Sequence, residues 1–400
     1  MNTTPSRNAS PPPRRQMVHA AAAPRIAGLR LAHLILDMGF GGAERLAQTL
    51  AIAMENRGAQ CRILCFDAIT DNVEPLLRHG IPVELIKRRQ TPFDPLACLR
   101  LVKRIKALDL QLLHAHDLAS LAYAVTAAAL LGLPVVMTEH SRHYIDARPV
   151  RRLEKRLLCR GVRRLVAVSP ELAHASLAKD GVAADKLLVI ENGVDIERFA
   201  AADGRVPRME LGLCPEALLI GMVGRLEEIK GPDVLLEAFA RLARAYPVAA
   251  LAFIGEGSLK EDLRGRAKAL GLSPRTHFLG ARPDIPEIMA GLDVLVLPSR
   301  SEGLPFALLE GMAAGRAVAA TSVGRMPPIV APSREEPNGL LVPPDNADAL
   351  AAALGSLLAD ASLRQRLGCS ARNYVTNHYD QRSMCAAYQE VYLQTLAERP

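Results

Sequence analysis

Short apolar runs alternate with amphipathic stretches along almost the whole chain, and the alternation predicts its fold. Runs rich in Val, Ile, Leu and Ala at residues 29–36, 60–66, 83–86, 111–114, 134–138, 164–168 and 187–190 have the length of strands. Between them, residues 43–56, 95–107, 118–130, 150–160 and 170–179 carry apolar positions at helical spacing. Strands alternating with helices predict parallel sheets covered by helices, an α/β fold. The rhythm resumes from Ala217 to about Val342, followed by helical stretches at 346–358, 363–378 and 382–396. Asn192-Gly193-Val194-Asp195 reads as a turn closing the first half, and residues 200–207 as a linker. A chain of 400 residues calls for two domains, expected at 29–200 and 208–380 after a tail over 1–28.

Composition narrows the function classes. The tail is rich in Pro, Ser, Asn, Ala and Arg and lacks the apolar core of a signal peptide, so it is expected to be disordered. No apolar run reaches the roughly 18–20 residues of a spanning helix, and the Ala/Leu-rich stretch 118–133 fits a buried helix. Seven cysteines without metal-ligand spacing suggest reduced thiols and a cytoplasmic protein. Residues 1–200 hold 28 Lys+Arg against 19 Asp+Glu, and residues 201–400 hold 21 against 23. The excess is densest over 148–164, where Arg152, Arg156 and Arg160 line one helical face and Leu153 and Leu157 another. Two readings of that helix stand side by side. One lays it on an anionic membrane surface; the other packs it on the sheet by its leucines and leaves the arginines solvated. Aromatics make up 4% of the chain, tryptophan is absent and no recognition module is visible, which argues against a nucleic-acid binder.

The chemistry concentrates at predicted strand ends. After the apolar run 293–298 come Glu302 and Glu310, eight positions apart, with Gly303 and Pro305 marking a loop that turns into a helix. Unpaired N–H groups at such a helix start suit an anion, while carboxylates suit hydroxyl groups. A nucleotide-sugar wants both: donors for its diphosphate, acceptors for its sugar and ribose. The run 219–223 is followed by Gly224, Arg225 and Lys230, then by Gly231-Pro232 at a helix start. Guanidinium and ammonium at that position suit the diphosphate. Phe253-Ile254-Gly255-Glu256-Gly257-Ser258 forms a tight strand-to-helix turn. In the first half, Asp37-Met38-Gly39-Phe40-Gly41-Gly42 makes an open glycine loop entering a helix. His114, His116, Glu139 and His140 stand at two further strand ends. No Asp-x-Asp triplet occurs, which argues against a metal-held diphosphate.

These strings resemble those of retaining glycosyltransferases of family 4. The resemblance covers nearly everything after the tail. It implies the GT-B fold: two Rossmann-like α/β domains facing a central cleft, with the C-terminal helix 381–400 packing back on the first. It implies that Arg225 and Lys230 clamp the donor diphosphate, Glu302 contacts the donor sugar and Glu310 the nucleotide ribose. Gly42 would face phosphate and sugar, and His140 would stand near the reacting sugar. His116 is a second candidate for the same cleft, His114 reads as a core residue, and Glu139 is open to acceptor contact. The nucleobase would lie near residues 278–286. The implied activity is metal-independent transfer of a hexosyl group, with retention, from a UDP- or GDP-sugar to a saccharide or lipid-linked saccharide in cell-surface polysaccharide, lipopolysaccharide or glycolipid synthesis. Catalysis would rest on His140, Glu302, Arg225 and Lys230, with no metal and no further cofactor. The protein would work in the cytoplasm, in peripheral contact with an anionic membrane. Rival readings are a nucleotide-sugar epimerase or hydrolase on the same scaffold, and a non-catalytic sugar-nucleotide-binding subunit. Two departures from the family stand out: Gly324-Arg325-Met326-Pro327-Pro328 where Gly-Gly-x-Pro-Glu is usual, and Arg316 where proline is usual.

Overall fold

The computed structural model describes residues 26–398 apart from Phe40, Asp71, Asn72, Gln90, Pro92, residues 141–148 and Arg334. The chain divides into two compact units. One comprises the residues up to Glu191 together with those from Met384 onward; the other is Asn192–Ser383.

The first unit is built on a parallel sheet of seven strands: β1 (Arg30–Asp37), β2 (Gln60–Ala68), β3 (Val83–Leu85), β4 (Leu112–Ala115), β5 (Val135–Glu139), β6 (Arg164–Ala167) and β7 (Leu187–Val189). Their order is β3-β2-β1-β4-β5-β6-β7. The second has six parallel strands: β8 (Leu218–Val223), β9 (Ala249–Ile254), β10 (Thr276–Gly280), β11 (Val294–Leu297), β12 (Ala317–Thr321) and β13 (Leu340–Val342). They are arranged β10-β9-β8-β11-β12-β13. In each sheet the order reverses once, at β1/β4 and at β8/β11, the Rossmann-type switch point where strand ends leave a crevice for ligands.

Why these runs became strands is visible in their burial. Helices on both faces let every position be apolar, and all of Ala249–Ile254 is buried. The two faces still separate with period two. Ala249, Leu251 and Phe253 join a core with Ile220, Met222 and the helices Pro232–Leu242 and Ala347–Ala359. Ala250, Ala252 and Ile254 join the opposite core with Leu219 and the helix Phe306–Ala313. Helix starts follow local capping rules. Asp94, Asp117, Ser169, Asn346 and Asp360 each accept a backbone N–H two or three residues on. Pro95, Pro170 and Pro232 occupy first-turn positions that need no N–H.

Three sequence expectations change. Residues 200–207 do not form a free linker: helices Ile196–Ala201 and Arg205–Glu210 fold onto the second unit. Phe199 enters its core, and Arg208 Nη1 donates to Gly291 O and Asp293 Oδ2, each at 3.0 Å. The expected tail 1–28 falls outside the described residues up to Arg25, but Ile26 is buried and Gly28 N bonds Gly58 O at 2.8 Å. Its last residues are docked.

The third change concerns the basic helix, Pro149–Leu158. It does not pack on the sheet by its leucines. Val150, Leu153 and Leu157 are 75%, 58% and 51% exposed. The side chain it buries is Lys155, whose Nζ lies 2.6 Å from Glu139 Oε1 and 2.6 Å from Asp180 Oδ2 and 2.9 Å from Ser176 Oγ. Three partners satisfy the three ammonium protons, which is what allows a lysine to be fully buried. Glu139 is thereby committed to the core and is not available to an acceptor.

The C-terminal helix Gln381–Ala397 covers the first sheet through polar anchors inside an apolar surface. Tyr388 and Tyr392 are fully buried, and their hydroxyls reach Thr138 Oγ1 at 3.1 Å and His114 Nδ1 at 2.8 Å. Arg57 Nη1 donates to Gln389 Oε1 at 2.7 Å.

Candidate functional site

The second unit brings three of the sequence-selected side chains to the two strands flanking its switch point. Arg225 and Lys230 follow β8; Glu302 follows β11. Val294 and Leu295 of β11 pair with Ile220 and Gly221 of β8, so the loops that leave them are neighbours. Lys230 Nζ donates to Glu302 Oε1, and Ser299 Oγ donates to the same oxygen at 3.0 Å. Both bonds use Oε1, which leaves Oε2 as an acceptor. The pair is partly open, with side chains 22% and 9% exposed.

Backbone requirements hold these loops together. Lys230 ends a short 3-10 turn, Glu228–Lys230, and Gly231 then takes the left-handed conformation (φ 66°) to start the helix Pro232–Leu242. A Cβ at Gly231 would lie 2.1 Å from Pro298 O. The β8 and β11 loops therefore touch backbone to backbone. Arg300 locks them further: its guanidinium bonds Asp233 Oδ1 and Oδ2 at 3.0 and 2.8 Å and Asp345 Oδ1 at 2.6 Å, while Arg300 N donates to Ile229 O at 2.9 Å. Sequence reasoning gave no role to Ser299, Asp233, Arg300 or Asp345. Only Ser299 carried a local signal, three residues before Glu302 on the same loop.

Arg225 is exposed and makes no hydrogen bond or ion pair among the described residues. Glu227 accepts from Ser258 N at 3.0 Å and Ser258 Oγ at 2.8 Å, which holds its carboxyl below the ordinary range. Those bonds fasten the loop 255–258 beside Arg225, with Leu226 N donating to Glu256 O at 2.8 Å. Glu310 is buried in the helix Phe306–Ala313, whereas Glu302 lies in the loop before it. One helix therefore does not carry both carboxylates.

The two departures from the family pattern prove local. Gly324 sits at φ 54°, where a Cβ would approach Glu302 O to 1.9 Å, and Arg325 N donates to Gly303 O at 3.2 Å. The loop after β12 thus presses on the backbone of Glu302 through the glycine that is retained. Arg316 is half-buried and donates to Ala314 O at 2.9 Å, Leu292 O at 3.1 Å and Ala290 O at 3.3 Å, serving carbonyls left over at two helix ends.

In the first unit, Gly42 opens the helix Gly42–Glu55 directly after the β1 loop. His140 follows β5 and is partly exposed; its Nε2 lies 3.3 Å from His116 Nδ1. His116 is buried and does not line a surface, as one reading of the sequence had it; its Nε2 is 2.9 Å from His33 Nδ1. His33 and His114 are paired side by side on β1 and β4. The rings of His33, His114 and His116 have centroids 4.2–5.2 Å apart, and one nitrogen from each falls within 4.8 Å of the others. His114 is a core residue, held by Tyr392 and by Thr138 Oγ1 at 2.8 Å. Desolvation lowers His33 to about 3 and His140 to about 4, and pushes His114 and His116 well below their ordinary 6.5. The cluster is neutral at physiological pH. Sequence reasoning missed His33 because a histidine in the middle of an apolar strand gives no sign of what its neighbour strand brings.

Two Rossmann-like units of this strand order, with cations and a carboxylate at the second switch point, define a nucleotide-binding α/β class. The chain belongs to the GT-B glycosyltransferase superfamily. Residues 208–374 match the family described as Glycosyl transferases group 1, and residues 40–198 match Glycosyltransferase Family 4. A D-inositol 3-phosphate glycosyltransferase of Nocardia farcinica is 34% identical over 52% of this chain and 48% of that protein, so the chain spans about half the length of this relative. An Escherichia coli UDP-Gal:alpha-D-GlcNAc-diphosphoundecaprenol alpha-1,3-galactosyltransferase is 26% identical over 88% of this chain and 93% of its own. The fold is also that of Anabaena Alr3699/HepE, solved in complex with UDP-glucose, with a TM-score of 0.78, 22% identity and coverage of 91% and 99%.

Proposed function

We propose that the protein transfers a hexosyl group from a UDP-sugar to a hydroxyl of a lipid-linked or polysaccharide-type acceptor, with retention at the anomeric carbon. The observation that carries this is the Lys230–Glu302 contact at the β8/β11 switch point, with Arg225 on the same β8 loop exposed and without an ion pair among the described residues. Arg225 and Lys230 stabilise the diphosphate as the bond from the anomeric carbon to its oxygen breaks and negative charge grows there. Glu302 accepts from sugar hydroxyls through Oε2, and Glu310 serves the ribose. Gly42 and His140 keep the phosphate and sugar roles that the family resemblance implies. The acceptor oxygen bonds to the anomeric carbon on the face the leaving group vacates, and its proton passes to the departing phosphate. The cations do the work of a divalent ion in this scheme. The E. coli relative takes a UDP-sugar and a diphosphoundecaprenol-linked acceptor by name, and the HepE structure holds UDP-glucose; both favour this donor and acceptor class.

The test is a transfer assay with UDP-hexoses and polyprenol-linked saccharides. Lys230→Ala or Arg225→Ala should lower kcat/KM by about 10²–10³, the scale for removing a charge-stabilising donor. Unchanged transfer would remove the basis of the proposal. Equal consumption of donor with and without acceptor would favour the hydrolase or epimerase instead.

The helix Pro149–Leu158 fits contact with an anionic membrane at its cytoplasmic face. Val150, Leu153 and Leu157 form an exposed apolar stripe, with Arg156 and Arg160 exposed beside it. Among the described residues no helix is long and apolar enough to cross a membrane. Vesicles containing phosphatidylglycerol should sediment with the protein, and the double change Leu153→Asp, Leu157→Asp should release it. Equal sedimentation of both proteins would count against the helix as the contact.

A further inference from the structure

The three imidazoles His33, His116 and His140 form a single file of hydrogen bonds leading from the core to the partly exposed end of β5. Each link joins two ring nitrogens and takes one proton. With all rings neutral there is one proton per ring, so choosing the donor of any link fixes every other link.

Only two arrangements satisfy both links. In one, His140 Nε2–H donates to His116 Nδ1, and His116 Nε2–H donates to His33 Nδ1. His33 must then carry its proton on Nε2. That atom is fully buried and has no partner among the described residues. In the other arrangement every proton sits on Nδ1. His33 Nδ1–H donates to His116 Nε2, and His116 Nδ1–H donates to His140 Nε2. The unpartnered His33 Nε2 is then a bare ring nitrogen, with no buried N–H left over. Orphaned buried N–H groups are the rarer and costlier case, so the second arrangement is the one this packing selects.

We infer that His33 and His116 are positioning residues: their one-way hydrogen-bond file fixes His140 as the Nδ1–H tautomer, so that His140 meets the bound sugar as a hydrogen-bond donor to one of its oxygens. The second half of the inference rests on the reading that His140 faces the donor sugar. Free imidazole rings exchange tautomers. A ring that must donate in the bound complex gains by being held in one form beforehand, since no reorganisation is then needed at binding. The lowered protonation of His33 and His140, to about 3 and about 4, agrees with the neutral rings this file requires.

The test reads the tautomer directly. Protein labelled with ¹⁵N-histidine is studied by long-range ¹H–¹⁵N correlation at pH 7.5, with the His140 ring assigned by its loss in His140→Gln. In the unliganded protein His140 should show a protonated Nδ1 and a bare Nε2. A protonated Nε2 would overturn the file. Addition of UDP-glucose should shift the Nδ1 resonance; a correct tautomer with no response to UDP-glucose would sink the placement at the sugar and leave the file standing. The variants separate positioning from simple packing. His116→Leu should scramble the His140 tautomer and lower kcat/KM by up to about tenfold, the scale of one lost hydrogen bond. His116→Asn, whose amide nitrogen takes the place of Nδ1–H, should restore both. An Asn variant that folds yet shows the scrambled ring would overturn the inference. Should His116→Leu fail to fold, the wild-type tautomer and the Asn rescue still decide.

Discussion

Two buried-to-exposed lysine sites set the two units of this molecule apart. In the first, Lys155 is wholly enclosed, with Glu139, Asp180 and Ser176 around one ammonium group. In the second, Lys230 meets Glu302 and Ser299 meets the same carboxylate, and both charged side chains keep some exposure. The chemical groups are the same; solvent access differs. A sealed triad has no room for a ligand and serves only to hold the helix Pro149–Leu158 against β5. A half-open pair at a switch point leaves its groups within reach of a ligand, which the proposed function requires. Pairing alone says little about function, and burial decides which kind of pair it is.

The same substitution made in both places should break the resemblance between them. Lys155→Met leaves two carboxylates buried without their cation and should cost about 3–5 kcal/mol of folding stability, read as a large fall in the urea midpoint. Lys230→Met should leave that midpoint within about 1 kcal/mol of the parent, because a partly exposed pair contributes little. Comparable stability losses in the two variants would show that the second site is structural too.

pH separates the units as well. The unfolded chain takes up protons on its histidines as pH falls through about 6.5, while the folded first unit resists until pH nears the lowered values of His33, about 3, and His140, about 4. Stability is therefore complete above pH 6.5 and declines as pH drops below it, by about 1.4 kcal/mol per pH unit for each ring so held. Urea midpoints between pH 7.5 and 5 should fall, and His33→Leu should flatten the decline. A midpoint that rises on acidification would contradict neutral burial of the cluster.

Much of this was legible along the chain because the deciding interactions are local. Strand runs buried on both faces, Asp and Ser caps, and prolines in first turns are set within a few residues of each other, and the predicted elements follow them. The loop positions of Arg225, Lys230 and Glu302 were also legible, since glycine and proline beside them announce loops at strand ends. Less legible were the pairings. Arg300 finds Asp233 and Asp345 from 67 and 45 residues away, and no spacing rule joins them. Phe199 and Arg208 turned an apparent linker into folded structure by reaching across to the second core.

The chain by itself determined where strands and helices form and which loops carry charge, because backbone preference and apolar periodicity act over one or two turns. Only the tertiary structure decided what each charge and imidazole became. Lys155 is core, although Arg156 beside it is exposed; His116 is a buried link, although it stands at a strand end. The physical reason is that ionisation and hydrogen bonding depend on water and on partners, and both are assigned by packing between segments distant in sequence.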